Sequence, residues 1–258
     1  MTAMAPDGSG RDDRDSELTR TLAAVRSRLA AAAEAAGRSV SEIELLPVTK
    51  FFPASDVVIL SRLGCRAVGE SRDQEALAKV SEVAAASARA DLPAMRWHMV
   101  GHIQRNKARS VARWAHTAHS VDGPQLVAGL DRGVSAALAE GRRTEPLRVY
   151  VQVSLDGDVS RGGVDISAPR AVDEVCAQVA DSPNLELVGL MGIPPLEWDP
   201  DDAFGRLQSE HARVLDSHPG AVGLSAGMSG DFEVAVKHGS TCVRVGTALL
   251  GPRPLRSP

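Results

Sequence analysis

A lysine that directly follows an apolar segment has the clearest chemical potential in this sequence. Residues 45–50 predict a short buried strand that ends on Lys50. An ammonium group is costly in an apolar interior, so it either turns into solvent or is held at a special site. Apolar walls lower the pKa of an amine, and a neutral amine can attack an aldehyde and hold it as an imine. Lys50 is therefore either a solvated strand end or an imine-forming group.

Two glycine-containing segments near the C-terminus each connect a predicted strand to a helix. Residues 225–231 follow the seventh predicted strand, and residues 244–247 end the eighth. Backbone N–H groups freed by glycine, the hydroxyl groups of Ser225 and Thr247, and a helix N-terminus can together bind a phosphate dianion. These segments predict a phosphate site, and the alternative is that the glycines serve only tight turns.

Arg244 stands two residues before Gly246, so the two residues lie on the same face of a strand. That face is expected to point into the mouth of the fold. A buried cation needs a partner. An aromatic ring nitrogen without a proton would be one, and an internal carboxylate is the structural alternative.

Two further clusters of polar side chains favour simpler interpretations. His98 and His102 are four residues apart, which on a helix could bind a metal, but Gly101 and the apolar flanks predict a strand and a turn. Four basic residues between positions 105 and 113 lack repeated aromatic neighbours and indicate a solvated helix face. We predict neither a metal site nor a nucleic-acid partner.

The composition is that of an ordinary globular protein. The 258 residues are 43% hydrophobic and 24% charged, and the net charge of -4 gives no global attraction to nucleic acid or anionic membranes. No run approaches the roughly 18 apolar residues that span a bilayer, and the first residues are polar, so a cytoplasmic protein without membrane contact is expected. Cys65, Cys176 and Cys242 form no CxxC motif and are expected to be buried reduced thiols.

Strands and helices alternate along most of the chain. Residues 1–15 lack an apolar period and predict a disordered tail, after which an extra helix runs toward Gly37. Eight predicted strands follow, and short connections imply parallel pairing. The predicted fold class is therefore α/β, a single (β/α)8 TIM barrel over residues 16–258 with Lys50 at the carboxyl ends of its strands. An open doubly wound sheet is disfavoured because no GxGxxG motif follows the first strand.

Six ordered motifs carry a family resemblance. They are Val48-Thr49-Lys50, Gly69-Glu70, residues 97–107, Gly189-Leu190-Met191, residues 224–229 and residues 239–247. These motifs resemble the YggS/PROSC family of pyridoxal phosphate homeostasis proteins. The resemblance runs from Leu18 to Pro252 and implies a barrel like the N-terminal half of bacterial alanine racemase.

The resemblance also implies a cofactor and its contacts. Pyridoxal 5'-phosphate (PLP) would be an imine on Lys50, the phosphate would lie at Ser225, Gly246 and Thr247, and Arg244 would face the pyridine nitrogen. Ser71 stands where the family commonly has asparagine. The complete set of predicted cofactor-binding residues is Lys50, Ser71, Ser225, Gly227, Met228, Ser229, Arg244, Gly246 and Thr247.

The function implied by the resemblance is intracellular PLP (vitamin B6) homeostasis by storage or delivery, without established catalysis. Apo-PLP enzymes would be transient partners of a monomer. Arginine only donates hydrogen bonds, so Arg244 would keep the ring nitrogen unprotonated and weaken the ring as an electron sink. The alternatives are a PLP-dependent enzyme such as a racemase or lyase, and a barrel that binds another phosphate ester without an imine. Arg161 stands where many members have lysine, so no second attachment is expected there.

Overall fold

Parallel strands form the centre of this computed structural model, which describes the backbone of residues 9–253 and the side chains of residues 13–253. The strands are β1 (Glu44–Pro47), β2 (Ala67–Glu70), β3 (Arg96–Met99), β4 (Thr117–Val121), β5 (Leu147–Ser154), β6 (Val164–Asp165), β7 (Leu185–Met191), β8 (Gly223–Ser225) and β9 (Cys242–Val245). The hydrogen-bonded order is β1-β9-β8-β7-β5-β4-β3-β2, and the short β6 pairs with β5 outside that path.

One contact between β1 and β2 brings the two ends of the sheet together. Val48 forms a parallel bridge with Gly69, and the Thr49 N–H donates to the Gly69 carbonyl over 2.9 Å. Gly69 suits this position because a Cβ there would lie 3.2 Å from the side chain of Val100. The eight strands of the path thereby form a nearly closed barrel, and the predicted (β/α)8 fold is confirmed.

Helices follow the strands and cover the outside of the barrel. They are α1 (Ser9–Ala35), α2 (Ala54–Arg62), α3 (Asp73–Arg89), α4 (Ala108–Trp114), α5 (Pro124–Ala139), α6 (Pro169–Asp181), α7 (Pro200–Ser217), α8 (Phe232–Lys237) and α9 (Thr247–Leu250). The extra helix α1 buries Leu18, Leu22, Val25 and Leu29, which recur at helical spacing. Burial of this stripe attaches α1 to the barrel.

The start of α1 differs from the sequence expectation. The helix begins at Ser9, so residues 9–15 are helical where a disordered tail was predicted. Arg14 supplies a physical reason, because its guanidinium forms an ion pair with Asp56 over 2.6 Å and donates to the Leu250 carbonyl over 3.1 Å. The rest of the predicted tail, residues 1–8, lies outside the described residues.

Two smaller expectations are also refined by the structure. The first strand ends at Pro47, and only a bridge at Val48 continues it toward Lys50. The three cysteines are free and buried as expected. Among the described residues, no helix has the length and apolar character needed to cross a membrane.

Candidate functional site

Lys50 lies just beyond β1 at the carboxyl ends of the barrel strands. It is half-buried, and the next residue, Phe51, has a left-handed backbone with φ of 72°. Burial lowers the pKa of the Lys50 amine, the cations Arg253 and Arg72 lower it further, and Glu70 opposes the shift. Within residues 13–253, Lys50 forms no ion pair. The amine is therefore neutral at lower pH than an ordinary lysine and is able to act as a nucleophile.

Arg244 lies on β9, directly beside β1, where it is the register partner of Leu46. Its side chain is buried, with 5% of the residue exposed. Nη1 donates to Ser225 Oγ over 2.5 Å, and Nη2 donates to the Gly192 carbonyl over 3.1 Å. No described carboxylate lies within ion-pair distance, and burial lowers the pKa of the guanidinium. Since arginine has five N–H donors, this cation retains capacity for a ligand acceptor.

The two glycine-containing loops meet next to this pair of strands. The β8–α8 loop carries Ser229, whose Oγ accepts a hydrogen bond from the Ala248 N–H at the start of α9 over 3.2 Å. Gly246 and the exposed Thr247 lie in the same connection between β9 and α9. The structure thus brings the predicted Ser229, Gly246 and Thr247 together.

Gly227 shapes the first of these loops. Its φ is +89°, and a Cβ there would lie 2.8 Å from the Phe232 Cα and 2.7 Å from the Ala235 Cβ. The next residue, Met228, is exposed, and its N–H donates to Asp231 Oδ1 over 2.6 Å. Glycine is therefore required for the close approach of this loop to α8.

Ser225 has a different environment from the one expected of a phosphate ligand. It is fully buried, and its hydroxyl contacts Arg244 and His119 inside the barrel. Its role in phosphate binding stays a prediction.

Ser71 follows β2 and packs tightly against the loop after β3. A Cβ on Gly101 would lie 2.3 Å from the Ser71 carbonyl oxygen, so only glycine fits opposite this residue. The half-buried Ser71 also borders a cavity of about 370 Å³ that is lined by Arg72, His102 and Lys107 among others. Its contact with a cofactor stays a prediction.

A buried ion pair beneath Lys50 was not found from the sequence. Glu70 at the end of β2 is fully buried, and its Oε1 accepts from Lys79 Nζ and from Thr49 Oγ1, each over 2.6 Å. Lys79 Nζ also donates to the Thr49 carbonyl over 2.9 Å. This arrangement fixes the backbone directly before Lys50. The only sequence signal was an acidic residue that ends a buried strand.

Comparison with known proteins places the chain in a family. The model of the alanine racemase N-terminal domain matches residues 21–254. The pyridoxal phosphate homeostasis protein of Mycobacterium tuberculosis (strain H37Rv) is 72% identical over 258 residues, which cover 99% of this chain and 100% of that protein. The chain belongs to the pyridoxal phosphate homeostasis family. Its membership confirms the resemblance seen in the six motifs.

Solved structures of relatives agree with the family assignment. PipY of Synechococcus elongatus PCC7942, solved with PLP bound, is 30% identical and superposes with a TM-score of 0.75, covering 91% of this chain and 100% of PipY. Alanine racemase from Corynebacterium glutamicum is 15% identical with a TM-score of 0.61, covering 91% of this chain and 62% of the racemase. The second likeness concerns the fold alone.

The donor set at the strand ends fits the cofactor of that family. A half-buried amine can bond to an aldehyde, a buried guanidinium without a carboxylate can donate to an unprotonated ring nitrogen, and adjacent loops offer hydroxyl and backbone N–H groups to a phosphate. These groups come from the segment directly after β1, from β9 and from the loops after β8 and β9. They therefore lie on neighbouring parts of one barrel face.

Proposed function

We propose that this protein binds PLP through Lys50 and serves intracellular PLP homeostasis. The observation that carries the proposal is the pairing of β1 with β9. Arg244, a buried cation without a carboxylate partner among the described residues, lies opposite Leu46 in that pairing, and Lys50 follows the end of β1. Bound PLP would supply an aldehyde and an electron-accepting ring. Gly227, Met228, Ser229, Gly246 and Thr247 would border its phosphate.

Lys50 provides the covalent link in this proposal. Its amine nitrogen would bond to the aldehyde carbon as C=N, with the aldehyde oxygen lost as water. Burial, Arg253 and Arg72 lower the pKa of that amine, so more of it is neutral at a given pH than in an ordinary lysine. Arg244 would orient the ring by donating a hydrogen bond to its nitrogen. Because arginine has no acceptor atom, Arg244 would leave that nitrogen unprotonated.

The same groups favour storage or delivery over turnover. A racemase needs a second acid or base on the opposite face of the cofactor, and Tyr150 is the only tyrosine of the chain. Tyr150 is buried within β5, its ring stacks on His119 with centroids 4.6 Å apart, and burial raises its pKa. It is therefore a poor proton donor or acceptor for a substrate at the barrel mouth.

Borohydride reduction followed by peptide mapping tests the attachment site. The wild-type protein incubated with PLP is expected to carry the reduced cofactor on Lys50, and Lys50→Ala is expected to carry none. Lys237→Ala is the matched control, because Lys237 is an exposed lysine of α8 that pairs with Asp201. Label on a different lysine would contradict the proposed link. Binding of PLP that leaves no label after reduction would indicate the alternative of a non-covalent phosphate-ester site.

The likeness of the fold to alanine racemase makes a PLP-dependent racemase the second candidate. Exchange of the α-hydrogen of offered amino acids in deuterium oxide separates the two functions. A carrier should show no exchange above free PLP, whereas a racemase exchanges and inverts its substrate. Transfer of PLP to an apo-PLP enzyme in the presence of a trap for free PLP then distinguishes delivery from storage.

A further inference from the structure

A chain of buried polar side chains crosses the interior of the barrel. Arg244 Nη1 lies 2.5 Å from Ser225 Oγ, which lies 2.8 Å from His119 Nδ1. His119 Nε2 lies 3.0 Å from His98 Nδ1. The four residues belong to β9, β8, β4 and β3, and at most 5% of any of them is exposed. We call Arg244, Ser225, His119 and His98 the barrel chain.

Arginine fixes the direction of the first hydrogen bond in the barrel chain. Its guanidinium can only donate, so Ser225 Oγ must accept from Nη1. The Ser225 hydrogen is then available to His119 Nδ1, and Nδ1 is the unprotonated nitrogen when Ser225 donates to it. With the hydrogen bonds in this direction, His119 carries its proton on Nε2 and donates it to His98 Nδ1. His98 in turn carries its proton on Nε2, and that buried atom has no partner among the described residues.

The electrostatic surroundings of the two imidazoles agree with this neutral arrangement. Burial lowers the pKa of His119 well below its ordinary value, and His98, Arg244 and Arg148 add to the effect. Burial does the same for the pKa of His98, with contributions from His116, Arg96 and Arg148. Because all the nearby charged groups named here are cations, a proton on either imidazole would be repelled.

We infer that His119 and His98 are positioning residues, which fix the Ser225 hydroxyl as an acceptor toward Arg244 and so hold the guanidinium in one orientation at the cofactor face. Gly192 supplies the second fixed contact of that guanidinium. The internal polarity of the barrel chain is a property of the protein alone. Its consequence for PLP rests on the proposed function.

Nitrogen NMR of the ligand-free protein tests the polarity. At pH 7.5, His119 and His98 are both expected as neutral Nε2–H tautomers, and the Nη protons of Arg244 are expected as separate signals because its rotation is hindered. An Nδ1–H tautomer at either histidine would overturn the inference. This measurement does not depend on PLP, so it remains informative if the proposed function fails.

Variants of His119 test the positioning role. His119→Leu removes the acceptor for Ser225, whereas the amide oxygen of His119→Asn can replace Nδ1. We expect the leucine variant to merge the Arg244 Nη signals and to weaken PLP binding on the order of tenfold, the ratio that one hydrogen bond supplies. The asparagine variant is expected to keep separate signals and binding within about threefold of wild type.

His116→Leu is the matched control, because His116 stacks on His98 with ring centroids 5.8 Å apart but lies outside the barrel chain. Ser225→Ala should reproduce the leucine variant, and it carries the test if His119→Leu does not fold. Equal effects of leucine and asparagine at position 119, or Arg244 signals unchanged by leucine and by Ser225→Ala, would overturn the positioning role. If the wild-type protein showed the expected tautomers but did not bind PLP, the result would instead count against the proposed function.

Discussion

Lys50, just beyond β1, and Arg244, on the adjacent strand β9, show how two basic side chains acquire different properties from their surroundings. Lys50 is half-buried and faces two further cations, so its pKa falls toward the range in which an amine is a useful nucleophile. Arg244 is held by a hydroxyl and a carbonyl and stays a donor. One residue can therefore form a bond to an aldehyde, while the other can only orient the ligand.

Removal of the charge on Arg72 should slow the attachment of PLP. The guanidinium of Arg72 is one of two cations that lower the pKa of Lys50, after the larger effect of burial. In Arg72→Gln the pKa of Lys50 should rise, so a smaller fraction of the amine is neutral at pH 7.5. The rate at which the imine absorption band grows should be measured at several pH values. The profile of this rate against pH should shift to higher pH in the variant. Arg170→Gln, a change at an exposed arginine of α6, should leave the profile in place.

Acid should destabilise the protein through the two buried histidines. Their folded-state pKa values lie well below the ordinary value of 6.5 because of burial, so the unfolded state binds more protons below that pH. Each group then lowers the free energy of unfolding by about 1.4 kcal/mol per pH unit as the pH falls below about 6.5. The groups that face them are His116, Arg96, Arg148, Arg244 and the ring of Tyr150.

Urea unfolding at several pH values between 7.5 and 5 measures this dependence. Asparagine does not titrate. The slope of the free energy of unfolding against pH should therefore be smaller in His119→Asn than in the wild type, by about 1.4 kcal/mol per pH unit. Parallel slopes for the two proteins would show that His119 is not buried in its neutral form.

At the scale of elements, two short loops would form the phosphate side of the proposed site. The loop after β8 approaches α8 so closely that only glycine fits at position 227, and Ser229 connects it to the start of α9. Arg28 on α1 donates to the Ser229 carbonyl over 3.2 Å and packs on the ring of Phe232. The extra helix therefore supports the loop as well as the core.

Alanine substitutions in this loop should have unequal effects. Gly227→Ala adds a methyl group at a left-handed φ and close to Phe232, so it should destabilise the protein by at least about 2 kcal/mol and weaken PLP binding. Gly230→Ala is the control, since a Cβ there meets open space. Its free energy of unfolding should differ from that of the wild type by less than about 0.5 kcal/mol. Chemical unfolding and PLP titration of both variants would show whether the loop is as tightly constrained as described.

The order of strands and helices was accessible from the sequence because each element has its own apolar period. The end of β1 was harder to predict, because Lys50 lies beyond the hydrogen-bonded part of the strand, where only Val48 bridges to Gly69 of β2. The start of α1 was missed for a similar reason, since the pairing of Arg14 with Asp56 joins residues that are 42 positions apart. Long-range contacts of this kind leave no local pattern.

The candidate site was predicted in part. Lys50 and Arg244 were placed by the rule that strand ends share one barrel face, and the two glycine loops by their composition. The partners of Ser225 could not be predicted, because its contact with His119 joins β4 and β8 through the interior and depends on which side chains meet there. A serine in a glycine-rich segment suggested phosphate, whereas its burial directs the hydroxyl inward.

At the scale of the whole molecule, α1 covers the outside of the barrel next to the last helices. Thr21 Oγ1 donates to the Leu249 carbonyl over 2.7 Å, and Leu22 is buried. Leu22→Ala should lower the free energy of unfolding by about 2–5 kcal/mol through the cavity it leaves. Leu77→Ala, at a leucine of α3 that is 39% exposed, should cost less than about 1 kcal/mol in the same thermal or urea unfolding experiment. If Leu22→Ala lost as little stability as Leu77→Ala, α1 would contribute little to the packed core.

Phe51 connects the site to the last described part of the chain. The guanidinium of Arg253 lies 3.8 Å from the centre of the Phe51 ring, and Phe51 is the residue after Lys50. Occupancy of the cofactor face should therefore change the environment of this C-terminal segment. A fluorescent dye attached near residue 253 would then act as a binding sensor that reads out loading of Lys50 in real time, even for ligands that do not absorb visible light.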